Sequence, residues 1–90
     1  MGLVLKEFAL PLFEMGKILT FGIKKGYKES SWMQVDPSKY IDAMSRHLNE
    51  HFKGNLIDPE SNELHLSHAL VNLAFLVYFE VVKDIKNEKK

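Results

Sequence analysis

Between Ala69 and Val82 the chain carries only two polar side chains, Asn72 and Glu80, besides the hydroxyl of Tyr78. An ordinary surface helix shows an apolar stripe of limited width, whereas this stretch, read as a helix, is apolar nearly all round. Ninety residues fill one core, and the other two helical segments are each about 15 residues long, too little to cover every side of the third. The surplus surface is therefore expected to meet another copy. The expectation is an all-α fold: a small three-helix domain assembling into a helical homo-oligomer of closed symmetry, a dimer or tetramer.

The segment boundaries follow from capping chemistry. The first helix is expected from about Pro11 to Lys25, since proline suits a first helical turn and Gly26 suits the left-handed position beyond a helix end. Met15, Ile18, Leu19, Gly22 and Ile23 share one face at helical spacing, with Phe13 and Phe21 lying off it. The second helix has Asp36 as N-cap, Pro37 at its first position, a stripe of Tyr40, Ile41, Met44, Leu48 and Phe52, and Gly54 beyond its end. Asp42, Arg46 and Glu50 recur every four residues on another face, a pattern that reads as a solvated salt-bridge ladder. The third helix is expected over about Asn62–Lys86. Residues 1–90 thus form one domain, with 1–10 an N-terminal segment and 84–90 a frayed, mixed-charge tail.

Composition excludes several classes. The chain has no cysteine, so disulfides and thiolate metal sites are ruled out. Twelve basic residues balance twelve acidic ones, which argues against nonspecific binding to duplex nucleic acid. Residues 1–28 are locally basic, however, with five lysines against Glu7 and Glu14, and could receive a small anion. Met1–Leu12 lacks a signal-peptide cleavage pattern. The longest unbroken apolar run, Leu73–Phe79, falls short of the roughly 18–20 residues that span a bilayer. A cytoplasmic protein without a membrane partner is expected.

The polar residues that interrupt the apolar pattern are the candidate site. His65, His68, Asn72 and Glu80 fall within a sector of roughly 120° on the third helix. They mark either a structural hydrogen-bond network or the floor of a binding site. His47 and His51 sit in or beside the stripe of the second helix. The connecting loop Gly26–Val35 holds Tyr27, Ser30, Ser31 and Trp32 near lysines, an arrangement suited to base stacking with phosphate contacts close by. Trp32 could equally plug the core. Lys53–Glu63 contains Asp58-Pro59-Glu60-Ser61, turn chemistry leading into the last helix.

His65 and His68 are spaced for joint coordination, and His47 or His51 could join them. No HExxH or His-Asp motif is present, and a hydrogen-bonding role toward phosphate or base is the reading adopted, with no metal ligand and no catalytic residue assigned. Magnesium-dependent pyrophosphohydrolysis needs several carboxylates converging on one point. The paired ExxE and ExxD patterns of all-α pyrophosphohydrolases are absent, leaving Asp42 with Glu50, or Asp58 with Glu60, as substitutes. No nucleophile motif, Walker loop or dinucleotide glycine fingerprint occurs.

Several blocks taken together point to a family. Leu19-Thr20-Phe21-Gly22-Ile23-Lys24-Lys25, then Tyr27 and Trp32, precede Tyr40-Ile41-Asp42-Ala43 and Arg46-His47-Leu48. Asp58-Pro59-Glu60-Ser61, His65-Leu66-Ser67-His68-Ala69 and Asn72 follow. Over roughly residues 10–80 the chain resembles the small phage domain labelled dATP/dGTP diphosphohydrolase, N-terminal. It departs from that pattern at Lys25-Gly26-Tyr27 and at Ser31, which precedes Trp32. The resemblance implies an all-α fold, a phage setting and a purine nucleotide ligand.

Three functions fit these residues. In the first, the protein sequesters a purine nucleotide signal such as a cyclic dinucleotide without hydrolysing it, resembling in strategy the phage sponges that blunt host immunity. Tyr27 and Trp32 would stack on bases, Lys24, Lys25, Arg46 and His47 would contact phosphates, and His65, His68 and Asn72 would complete a polar wall, with no cofactor. In the second, Asp42, Glu50, Asp58 or Glu60 would hold magnesium for dATP/dGTP pyrophosphohydrolysis. In the third, the chain is a structural oligomer or a protein-binding inhibitor.

Overall fold

A computed structural model describes residues 2–28 and 31–88. Ser30 of the predicted loop and the last two residues of the charged tail lie outside the described residues. The chain is all-α but for a very short hairpin. A helix α1 (Gly2–Glu7) leads into α2 (Ala9–Lys24), a 3₁₀ turn (Ser31–Gln34) and α3 (Pro37–Phe52). Strands β1 (Ile57–Asp58) and β2 (Glu63–Leu64) then precede the long α4 (His65–Glu88).

The helix ends follow the capping residues. The Asp36 side chain accepts from the Ser38 backbone N–H at 2.9 Å, and Pro37 opens α3 where no N–H is needed. Gly26 and Gly54 both adopt positive φ, 109° and 97°. In each case the next residue's N–H reaches back five residues, Tyr27 to Gly22 and Asn55 to Glu50, closing α2 and α3 in the same left-handed motif. Pro11 lies inside the first turn of α2, where its lost donor would have no partner.

Three boundary expectations need correction. The N-terminal segment contains a helix of its own, Gly2–Glu7, and α2 starts at Ala9 rather than Pro11. The last helix begins at His65, because Asn62 takes φ 59° in a turn and Glu63–Leu64 pair antiparallel with Ile57–Asp58. The helix then continues to Glu88, through most of the expected frayed tail.

The core is small and half polar. Among the described residues, Ile18, Ala69 and Val71 are the buried apolar side chains, and His47, His65 and Ser67 are the buried polar ones. Helices α3 and α4 form the principal helix pair, with α2 laid against α4. Trp32 seals one end. Its ring stacks on Phe75 at 4.4 Å and 12°, meets Tyr78 and Phe79 edge-on, and Tyr40 Oη donates to the Trp32 carbonyl at 2.8 Å. At the other side, Ser67 Oγ donates to Glu14 at 3.0 Å, and Lys17 bridges Glu14 (2.8 Å) and Glu63 (3.1 Å), tying α2 to α4 and the hairpin.

Much apolar surface remains uncovered. Leu66, Leu73, Val77 and Val81, spaced seven, four and four residues apart along one side of α4, are each 40–55% exposed to within a few per cent (42, 47, 54 and 50%). Leu3 and Leu5 on α1, Phe8 at the bend, and Leu10 and Phe13 on α2 are exposed. The accessible surface is 6960 Å², against roughly 5,400 Å² for a compact monomer of this mass. The stretch His65–Ile85 is long and apolar enough, by length and composition alone, to cross a membrane, which counting unbroken apolar runs did not reveal. In the fold, His65, Ser67 and His68 of that helix are bonded to α3, α2 and the hairpin loop respectively.

Candidate functional site

The end of α2, the 3₁₀ turn, α3, the hairpin loop and α4 enclose an open cavity of about 700 Å³. Its floor is a histidine cluster. Arg46 and His47 are adjacent on α3, so helix geometry turns His47 inward while Arg46 stays exposed at the rim. His65 and His68 are one turn apart on α4 and approach His47 from two sides. His47 Nδ1 and His65 Nδ1 share a hydrogen bond of 2.8 Å, and the His47 ring stacks on His68 at 4.5 Å and 9°.

The hairpin loop completes this cluster. Asp58 Oδ1 accepts from the Glu60 backbone N–H at 2.9 Å, a turn in which the side chain replaces a backbone acceptor. This leaves Oδ2 facing His68 Nε2 at 3.5 Å. Ser61 Oγ is 2.7 Å from the same Nε2 and accepts from Glu63 N–H at 3.2 Å. One ring nitrogen of His47, one of His68 and a carboxylate oxygen of Asp58 lie within 4.8 Å of one another.

Burial sets the charge state here. Desolvation, reinforced by His68 and Arg46, pushes the His47 pKa down to about 4, so its ring is neutral at pH 7. Burial also lowers His68, with Asp58 opposing. At the rim, Lys25 pairs with Glu60, which holds its ammonium charged, and lies over the rings of Phe21 (5.6 Å) and Tyr27 (5.8 Å). Lys28 and Lys39 add positive charge.

The expected site residues separate into three groups. Lys25, Tyr27, Trp32, Arg46, His47, His68 and Asn72 line the cavity. Asn72 also donates to the His68 carbonyl at 2.8 Å, within its own helix. Lys24 lies elsewhere, beside a shallower groove of about 500 Å³ between α2 and the hairpin. His65 lies beneath the wall rather than in it, 5% exposed and bonded to His47. Trp32 has one face covered by Phe75, so it packs the core as well as bordering the cavity. The Asp42–Arg46–Glu50 ladder does not form: among the described residues Arg46 has no ion pair, and Glu50 instead takes Asn55 (2.8 Å) and Lys53 (3.6 Å).

Several lining residues were not anticipated as one site. Tyr40, Val71 and Phe75 build the apolar wall, and Asp58 and Ser61 meet His68 only because the hairpin folds back. The available signal was the density of side-chain-capping residues in Asp58–Ser61 immediately before His65-x-x-His68.

The fold and this site define a small helical domain with a cavity rimmed by cations and aromatic rings and floored by imidazoles. Residues 1–89 match the family model described as dATP/dGTP diphosphohydrolase, N-terminal, and the chain belongs to that family. No curated protein and no solved structure matches it.

The family description raises the question of magnesium. Magnesium demands oxygen donors in near-octahedral array, usually carboxylates with waters. The cavity offers two carboxylates, and Glu60 is committed to Lys25. Asp42 is exposed outside the cavity, and Glu50 is held by Asn55 and Lys53. These residues do not fit a magnesium centre.

Proposed function

We propose that this protein binds a purine nucleotide of the cyclic-dinucleotide type in the cavity between α2, α3 and α4 and holds it without hydrolysing it. The observation that carries the reading is the lining itself: cations at the rim, aromatic rings beside them, and too few free carboxylates for phosphoanhydride cleavage. Arg46 is exposed and without an ion pair among the described residues, so its guanidinium is available to grip a phosphate in bidentate fashion. Tyr27, 61% exposed beside Lys25, offers a ring face to a base next to a cation for its phosphate. His47, His68 and Asn72 supply hydrogen bonds at the floor, and His65 fixes His47 from beneath.

A homo-oligomer, dimer or tetramer, is part of this reading. The apolar stripe of α4 and the surplus of roughly 1,500 Å² over a compact monomer match what one partner commits to a stable interface or two. Such a protein would act as a sponge, removing a signalling nucleotide in the cytoplasm of a phage-infected cell.

The second reading, dATP/dGTP pyrophosphohydrolysis, rests on the family description. One experiment separates them. The protein is incubated with dNTPs and cyclic dinucleotides, with and without magnesium, then heated and the nucleotides analysed. Sequestration predicts intact nucleotide released only on denaturation. Conversion to monophosphate would sink it, and no capture of any nucleotide would leave a structural or protein-binding oligomer.

A further inference from the structure

We infer that His47, Asp58 and His68 form a binding site for one divalent transition-metal ion of the zinc class. The three donors come from different elements, α3, the hairpin loop and α4, and their ligand atoms already lie within 4.8 Å of one another. Around a tetrahedral ion, nitrogen and oxygen ligands at about 2.0 Å stand roughly 3.3 Å apart. Binding an ion would draw the three donors together by about 1.5 Å at most.

The donor set selects the ion. Two imidazoles and one carboxylate suit zinc, cobalt or nickel, whereas magnesium and calcium take oxygen. The surroundings have the features of a metal site. Ligating histidines usually have their second nitrogen engaged by a hydrogen-bond partner that fixes the ring, and His65 does this for His47 at 2.8 Å. Asp58 is fixed too, since its Oδ1 is anchored by the Glu60 N–H while Oδ2 faces His68. His68 Nε2 would exchange its hydrogen bond to Ser61 for the metal bond. Three protein ligands leave a fourth position, which opens into the cavity. The inference does not depend on nucleotide binding, because every donor belongs to this chain.

The test uses metal alone. Chelator-stripped protein is titrated with Co²⁺, followed by its visible absorption, and the Co²⁺ is then displaced by Zn²⁺ in calorimetry. One equivalent per chain with the intense bands of a four- or five-coordinate ion is expected. Asp58→Asn keeps the acceptor for the Glu60 N–H, so it should fold, and is expected to weaken the metal by about tenfold or more. His51→Ala, outside the cluster, is expected to bind as the parent does. A Co²⁺ spectrum unchanged from the aqueous ion, or parental affinity in both Asp58→Asn and His68→Gln, would overturn the inference. Nucleotide capture by protein that takes up no metal would overturn it as well, while leaving the nucleotide reading intact.

Discussion

The Nδ1 atoms of His47 and His65 are 2.8 Å apart, and both side chains are at least nine-tenths buried. One ring donates and the other accepts, so neither can be removed without stranding a buried polar atom of its partner. Such an orphan costs about 1–3 kcal/mol beyond any cavity left behind. His65→Ala is therefore expected to lower unfolding stability by at least that much in urea titration. A loss of under about half a kcal/mol would mean that the pair adds nothing to the fold.

Arg46 provides a separate handle on binding. It lies exposed at the cavity rim and has no ion pair among the described residues. A charge-assisted contact to phosphate is worth about 1.5–3 kcal/mol, so Arg46→Ala should weaken nucleotide capture by roughly ten- to hundredfold. The mass in solution should not change. A fall in mass instead would place Arg46 at a subunit contact.

Glu14 makes the acid limb of stability specific. Hydrogen bonds from Lys17 and Ser67 hold its carboxyl below the ordinary value of 4.5. A depressed folded pKa means that the unfolded state binds more protons in that window. The stabilisation is thus complete above the unfolded value and is lost as pH falls through the lower folded one. As pH falls through 4.5 and below, Glu14→Gln should show a shallower decline in Tm than the parent. Parallel declines would show that this tie between α2 and α4 contributes no pH dependence.

The α4 stripe tests assembly. Leu73→Glu and Val77→Glu place charge at positions 47 and 54% exposed, where a monomer tolerates it at small cost. In an interface the same charge would be desolvated without a partner. Light scattering should give the monomer mass for the double variant, with helix content kept. An unchanged oligomer would move the interface to α1 and α2.

How much of this was readable in the sequence depended on whether a signal was local. Helix α3 was legible end to end, because Asp36, Pro37 and Gly54 each act within a residue or two of their own position. The polar sector of α4 was legible for the same reason, since helical spacing alone aligns His65, His68 and Asn72. The hairpin was not. Two-residue strands carry no periodicity, so Asp58–Ser61 read as a lead-in to a helix rather than a loop that folds back on His68. Arg46 was misplaced into a charge ladder because spacing shows which residues are near each other on a helix, while a neighbouring cavity decides where a long side chain goes. Helix α1 escaped notice because its leucines are exposed and describe no buried face.

Three of the six buried side chains described here are His47, His65 and Ser67, and two of these support the cavity floor. In most small domains the core is oil and the site is an addition that can be erased while the fold survives. Here the floor of the cavity is also part of the core. Substitutions at His47 and His65 should therefore yield few stable but inert proteins: such variants will be found mainly as chains that fail to accumulate, and at these positions a screen scored on binding alone will be reporting abundance.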